Sequence, residues 1–271
     1  MNHRNIIQRI IRKVRKTLGI HHAVHEKAET REERAIAIGK TLELERRGFI
    51  FHCDKLKPDF YLPLYKKDYI QQRIITEEKY YEQDVLNHIC FEWHDGVIHE
   101  KIQQGCLLDI GANIGNHTLY FFYECGIKKA FCFEPILSTY LILQKNIALN
   151  HLNKKTTLIN AAVGAQTGLA SVSHYDETNI GSTQITKDSS GAIKIISIDS
   201  LNIKEHIDFI KIDVEGFEKS VIDGCISTIE RDKPYIMIEI QKENFSYISE
   251  VLLKMGYNHY QLNSVNYLFY V

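Results

Sequence analysis

From Gly105 onward, short apolar runs bounded by glycine or acid alternate with apolar stripes at helical spacing. "CLLDI" (Cys106 to Ile110) predicts a first strand, "KAFCFEP" a second, "TTLINAAVG" a third, "DFIKIDVEG" a fourth and "YIMIEI" a fifth. Helices are predicted from Asn116 to Cys125 and over "ILSTYLILQKNIALN", "FEKSVIDGCISTIER" and "ENFSYISEVLLKMG". Such alternation predicts a parallel sheet with helices packed on it. Two aromatic-rich runs, "YNHYQL" and "NYLFYV", predict a terminal antiparallel pair. The pattern breaks over 165–194, where a short strand, "LASVSHY", precedes a polar loop, "DETNIGSTQITKDSSG", and "IKIISID" returns beside it.

Upstream of Gly105 the pattern changes. "NHRNIIQRIIRKVRKTLGI" sets Ile6, Ile7, Ile10, Ile11, Val14 and Leu18 on one helical stripe surrounded by Arg and Lys. This basic amphipathic helix either meets anionic lipid or glycolipid, or packs on the domain or a second subunit. A charged connector follows, so 1–48 forms a helical N-terminal extension; its His21, His22 and His25 lack an acid or cysteine at metal-ligand spacing. Over 49–104, a lead-in cap segment, aromatic alternation to Ile75 predicts short strands and turns. "TEEKYYEQDVLNHICFEW" then predicts a helix with Thr76 as its N-cap. Residues 105–271 form the ligand-binding domain.

Composition narrows the partners. The 271 residues carry a net charge of -1, with 44% apolar and 25% charged residues, which gives no global attraction to nucleic acid. Six cysteines without C-x-x-C spacing predict buried thiols in a reducing cytosol. No run approaches the roughly 18 apolar residues of a membrane span, and no signal peptide is visible. The expected location is cytoplasmic, peripheral at the inner membrane face where residues 1–22 meet lipid, and a homo-oligomer stays open.

Chemistry concentrates at the strand ends. In "LLDIGANIGNHTLYF", Gly111 and Gly115 permit a tight turn and close backbone approach to a ligand, and Asp109 closes the strand. The helix that follows offers N–H groups to a carboxylate or phosphate. The G-x-G-x-x-G of dinucleotide sites is missing. Glu134, ending the second strand, suits two ribose hydroxyls or is a surface acid; Ala161, Ala162 and Val163 lie at adenine height or simply pack. Asp213 and Glu215 end the fourth strand, as a base with raised pKa, a metal pair or acceptors for a ligand; Glu215 could instead cap the next helix. Glu239 completes that cluster or pairs with a lysine. In the polar loop, Asn179, Gly181, Ser182, Thr183 and Gln184 form a lid able to bind sugar hydroxyls, or an exposed hairpin loop. No metal site is assigned, and a divalent metal stays open.

These segments in this order, with "FYLPLYKKDYIQQRI" and "YYEQDVLNHI" ahead of them, resemble the FkbM family of S-adenosylmethionine-dependent methyltransferases over Phe60 to Ile240. The resemblance implies an α/β, Rossmann-like class I methyltransferase fold: a seven-stranded sheet with helices on both faces. It implies S-adenosylmethionine as donor and a hydroxyl as acceptor. Asp109, Gly111, Asn113 and Gly115 would surround the methionine part. Glu134, followed by Pro135, would bind the ribose, and Ala162 and Val163 would flank the adenine. Asn116, His117 and Thr118 would begin the helix facing the donor carboxylate, and Glu82 would reach the same pocket.

Transfer to an alcohol gains from alignment and from a base. Asp213 is the candidate with Glu215 beside it, His117 and His174 being reserves; Asp213 alternatively binds the donor. The expected activity is O-methylation of a sugar hydroxyl in a surface glycan, a glycolipid or a related metabolite. Two rivals stand beside it. A NAD-dependent oxidoreductase is opposed by the missing fingerprint and the antiparallel pair. A non-catalytic glycan- or lipid-binding module is opposed by the retained Asp109, Gly111, Gly115 and Glu134.

Overall fold

The computed structural model describes residues 50–271; the basic helix, the charged connector and their histidines lie outside them. The strands are β1 (Ile50–Phe51), β2 (Phe60–Tyr61), β3 (Cys106–Ile110), β4 (Lys129–Phe133), β5 (Thr156–Ile159), β6 (Ala162–Val163), β7 (Gly168–His174), β8 (Gln184–Lys187), β9 (Ile193–Ile196), β10 (Phe209–Ile212), β11 (Tyr235–Glu239), β12 (Asn258–Gln261) and β13 (Asn266–Tyr270). The α-helices are α1 (Tyr69–Glu77), α2 (Gln83–Asn87), α3 (Val97–Ile102), α4 (Asn116–Tyr123), α5 (Leu137–Leu149), α6 (Glu218–Asp223), α7 (Ile226–Asp232) and α8 (Lys242–Lys254).

The main sheet has seven strands in the order β12-β13-β11-β10-β3-β4-β5. The five from β11 to β5 are parallel, and β13 and β12 close the edge antiparallel, as the sequence predicts. Chain order reverses at β3: β4 and β5 lie on one side of it, β10 and β11 on the other. A crevice opens at such a switch point, beyond the carboxyl ends of β3 and β10.

All five residues of β3 are buried, as expected of a parallel strand covered on both faces. Leu108, Ile110, Ile210, Ile212, Ile236 and Ile238 point into one core with Val221, Ile229 and Leu252 of α6, α7 and α8. Leu107 and Phe209 point the other way, toward Leu119 and Phe121 of α4, Leu143 of α5 and the lead-in residues Tyr80 and Leu86. On this second face the row of apolar side chains is interrupted by Asp109 and Lys211, which stand opposite each other in the β3–β10 register.

Three local expectations are corrected. "TTLINAAVG" is not one strand. It breaks at Asn160, whose amide donates to the carbonyls of Glu134 (2.8 Å) and Pro135 (3.1 Å), and β6 then joins a second sheet, β6-β9-β7-β8. In that sheet β7 and β9 pair as anticipated, while the polar loop holds an additional strand, β8.

Thr76 is not an N-cap. It lies inside α1 with its hydroxyl donating to the Gln72 carbonyl, and the cap is Asp68, which accepts the Gln71 N–H at 3.0 Å. The helix predicted from residue 76 is broken by left-handed Glu78 (φ 54°) and Glu82 (φ 59°), and α2 passes into a π turn and a 3₁₀ turn before α3. Between those two bends Tyr80 is buried, its ring 6.1 Å from Phe60 and 5.3 Å from Tyr120. Finally, "FEKSVIDGCISTIER" forms two helices, α6 and α7, divided at Gly224.

Candidate active site

The glycine turn crosses the crevice. The N–H groups of Gly111 and Ala112 both donate to the Phe133 carbonyl (3.0 and 2.9 Å), which draws the end of β3 toward β4. Gly111 has φ 78°, and a Cβ there would lie 1.8 Å from the Asp213 carbonyl oxygen, so no larger residue fits. Asn113 is left-handed as well (φ 49°), and its N–H donates to Glu134 Oε2 at 3.0 Å. The other Glu134 oxygen accepts the Ile136 N–H at 2.9 Å. Burial pushes the Glu134 carboxyl up to about 7, against these two bonds. Each of its oxygens holds one N–H and keeps a lone pair for a hydroxyl.

A cavity joins these groups. Gly111, Asn113, Glu134, Pro135, Ala162, Val163, Asp213 and Glu215 line it, with Ile180, Gly181 and Thr183 of the polar loop beside them. Asp109 and Thr118 are fully buried outside that lining, the Thr118 hydroxyl donating to Asp109 Oδ2 at 2.5 Å. The Asn116 side chain is committed elsewhere, accepting the Tyr81 N–H and donating to the Tyr81 carbonyl, both at 3.0 Å. It clamps the lead-in segment to α4. Asn146 of α5 works similarly, accepting from Tyr61 N–H (2.5 Å) and donating to the Ile114 carbonyl (2.8 Å).

His117 and Glu82 meet at 3.4 Å, close enough for an ion pair but without hydrogen-bond geometry, so His117 Nε2 is left with no hydrogen-bond partner. Burial works to raise the Glu82 carboxyl, but His117 and Lys211 outweigh it and hold it below the usual range.

Lys211 was not singled out in the sequence. Its Nζ donates to the Gly111 carbonyl at 2.6 Å and lies 3.4 Å from Asp213 Oδ2 and 3.6 Å from Asp109 Oδ1. Burial opposes its charge, yet Asp213, Asp109 and Glu82 raise its pKa. The signal was present: a lysine in an otherwise apolar run has to find a counter-charge.

At the mouth, Asp213, Glu215 and Glu239 each offer a carboxylate oxygen within 4.8 Å of the others, an arrangement that could hold a metal ion. Glu215 arrives there through a left-handed backbone (φ 51°), since β10 has already ended at Ile212. It does not cap α6; Glu218 accepts the Gly216 N–H instead, at 2.5 Å. Burial and the charges of Asp213 and Glu218 push Glu215 up to about 7; burial and the charges of Asp213, Glu215 and Glu82 push Glu239 up to about 8. Among the described residues Glu239 has no lysine partner. His174 is exposed at the end of β7 and does not line the cavity.

The polar loop is tied to the lead-in segment. Buried Asp68 accepts the Ile180 N–H at 3.0 Å while capping α1, and the Tyr69 N–H donates to the Thr178 carbonyl at 2.8 Å. Gly181 packs between Ile70 and Asn113, where a Cβ would meet the Asn113 amide at 3.0 Å. The hydroxyls of Ser182 and Thr183 donate to carbonyls of their own turn, Gln184 opens β8, and Asn179 Oδ1 is buried without a partner. Sequence reasoning missed Asp68, although Asp68-x-x-Gln71 has the spacing of a helix-capping pair.

The profile of the methyltransferase FkbM domain matches residues 109–262, more than half of the chain. A search of curated protein sequences returns no match. Among solved structures, a methyltransferase FkbM from Methylobacillus flagellatus KT is similar at 15% identity and a TM-score of 0.47, over 99% of this chain and 59% of that one. The chain thus spans less than two thirds of that relative. TrmK of M. capricolum, in complex with S-adenosyl-homocysteine, is similar at 11% identity and a TM-score of 0.35, over 67% of each chain. Among the described residues no helix is long and apolar enough to cross a membrane.

Proposed function

Because the chain belongs to the FkbM methyltransferase family, we propose that this methyltransferase uses S-adenosylmethionine and methylates a sugar hydroxyl in a glycan, glycolipid or related metabolite. The observation that carries the donor assignment is Glu134, a buried carboxylate at the end of β4 with a lone pair free on each oxygen. The crevice also fits such a donor in other respects. Gly111 leaves space where a Cβ would collide, and Asn113 Oδ1 and His117 Nε2 are buried polar atoms without hydrogen bonds.

When bound, S-adenosylmethionine supplies an electrophilic methyl group on a sulfonium whose charge is lost on transfer. Glu134 accepts from the ribose hydroxyls, Ala162 and Val163 lie against the adenine, and the turn from Gly111 to Gly115 holds the amino-acid end. Asp213 belongs to the donor side, because Lys211 already holds its carboxylate. The acceptor proton then goes to Glu239, with Glu215 beside it. The Glu215 and Glu239 carboxyls, pushed up to about 7 and about 8, suit that task near neutral pH. Asn179, Ser182, Thr183 and Gln184 hold the sugar, and residues 1–22 bring the enzyme to an acceptor on a membrane surface.

Calorimetric titration with S-adenosylhomocysteine and, separately, NAD tests the donor assignment on wild type and Glu134→Ala. Binding of the homocysteine compound that weakens in the variant supports it; preference for NAD, or no binding, defeats it. Membrane recruitment is tested by deleting residues 1–22, and unchanged affinity for anionic glycolipid vesicles would refute it.

A further inference from the structure

Lys211 is the charged residue of β10, set among Phe209, Ile210 and Ile212, and it is 2% exposed. A buried ammonium is costly unless its surroundings compensate it, and an apolar side chain would serve the packing at this position better. Two of its three contacts, the Gly111 carbonyl and Asp213, belong to residues that line the crevice, and the third, Asp109, lies beneath it. Were Lys211 only a counter-ion for Asp109, that contact would be the shortest. It is the longest, at 3.6 Å, while the Gly111 carbonyl is held at 2.6 Å.

We propose that Lys211 is a positioning residue for methyl transfer, its ammonium fixing the Gly111 carbonyl and the Asp213 carboxylate in the arrangement that the donor's cationic groups meet. The proposal rests on the donor assignment of this crevice. Without the ammonium, one carbonyl dipole and two carboxylates face each other with no cation between them. Repulsion then turns Asp213 away and releases the turn.

The test is calorimetric titration of the full chain with S-adenosylhomocysteine, each variant checked by thermal melting. Lys211→Met is expected to weaken binding by about tenfold or more. Lys211→Arg, which keeps the charge, is expected to recover part of it. Because Lys211 acts through Asp213, Lys211→Met combined with Asp213→Asn should lose far less than the product of the two single losses. If Lys211→Met does not fold, Asp109→Asn with Lys211→Met is compared with Asp109→Asn alone, and the same difference is expected. Affinity within about twofold of the reference, an arginine variant no tighter than the methionine one, or fully multiplicative losses would each overturn the proposal. Wild type that fails to bind at all defeats the donor assignment; wild-type binding that Lys211→Met leaves intact defeats the Lys211 role alone.

Discussion

One buried acid and a cluster of three share a single lysine and live under opposite conditions. Under the glycine turn, Asp109 has no exposed side-chain surface, and it is met by Lys211 on one oxygen and by the Thr118 hydroxyl on the other. At the mouth, Asp213 is 32% exposed, and Glu215 and Glu239 crowd beside it with one buried cation nearby among the described residues, already shared. The floor pairs its one acid with a cation and a hydroxyl, whereas the mouth gathers three carboxylates around that same cation among the described residues. A paired acid holds geometry; a crowded set takes up protons or cations. On the function proposed above, the same residue type serves structure in one place and chemistry in the other.

The sharpest way to break this contrast is Glu239→Gln. If the mouth does the chemistry, kcat for transfer of labelled methyl to a sugar acceptor falls by about a thousandfold. Wild-type activity is expected to rise between pH 7 and 8, as Glu215 and Glu239 lose their protons, and to rise less in the same variant. Glu134→Ala comes next. Losing a charged acceptor for two hydroxyls should weaken S-adenosylhomocysteine by roughly 100-fold, measured by calorimetry.

Thr118→Val addresses the floor. It removes the one hydrogen bond that the buried Asp109 carboxylate accepts among the described residues, and should lower unfolding free energy by about 2 kcal/mol in urea, with the pH profile of activity unchanged. The smallest effect concerns stability against pH. A carboxyl whose folded pKa is raised keeps its proton in the folded chain after the unfolded chain has lost it. The stability contributed by Glu239 is therefore complete below its ordinary 4.5 and is lost as pH rises through about 8. Glu239→Gln should melt above wild type at pH 8, and the gap should close toward pH 5.

The main sheet was legible because its strands are bounded runs buried on both faces, and the acids that matter stand where those runs end. Glu134, Asp213 and Glu239 could be picked out on that basis alone. Lys211 could not be assigned a role, since its partners come from β3 and from the turn, and no spacing along the chain shows which strands become neighbours. The lead-in segment failed for a different reason. Aromatic alternation from Phe49 hid the start of α1, and the break at Glu82 depends on where Tyr80 can bury its ring. "NAAVG" looked continuous with β5 because the bend is imposed by the Asn160 bonds to Glu134 and Pro135, a tertiary contact invisible to local pattern.

The contact between Gly111 and the Asp213 backbone also bears on the order of folding. The turn rests on residues a hundred positions further along the chain, from which Lys211 reaches back to its carbonyl. During synthesis, β3, the glycines and Glu134 are made well before β10 exists. A nascent chain that ends short of Asp213 carries the whole glycine motif and still lacks the surface on which the turn is built. On the proposed donor assignment, ligand binding belongs to the late, long-range stage of assembly, and a donor analogue added to chains released before β10 is expected to find no site to stabilise.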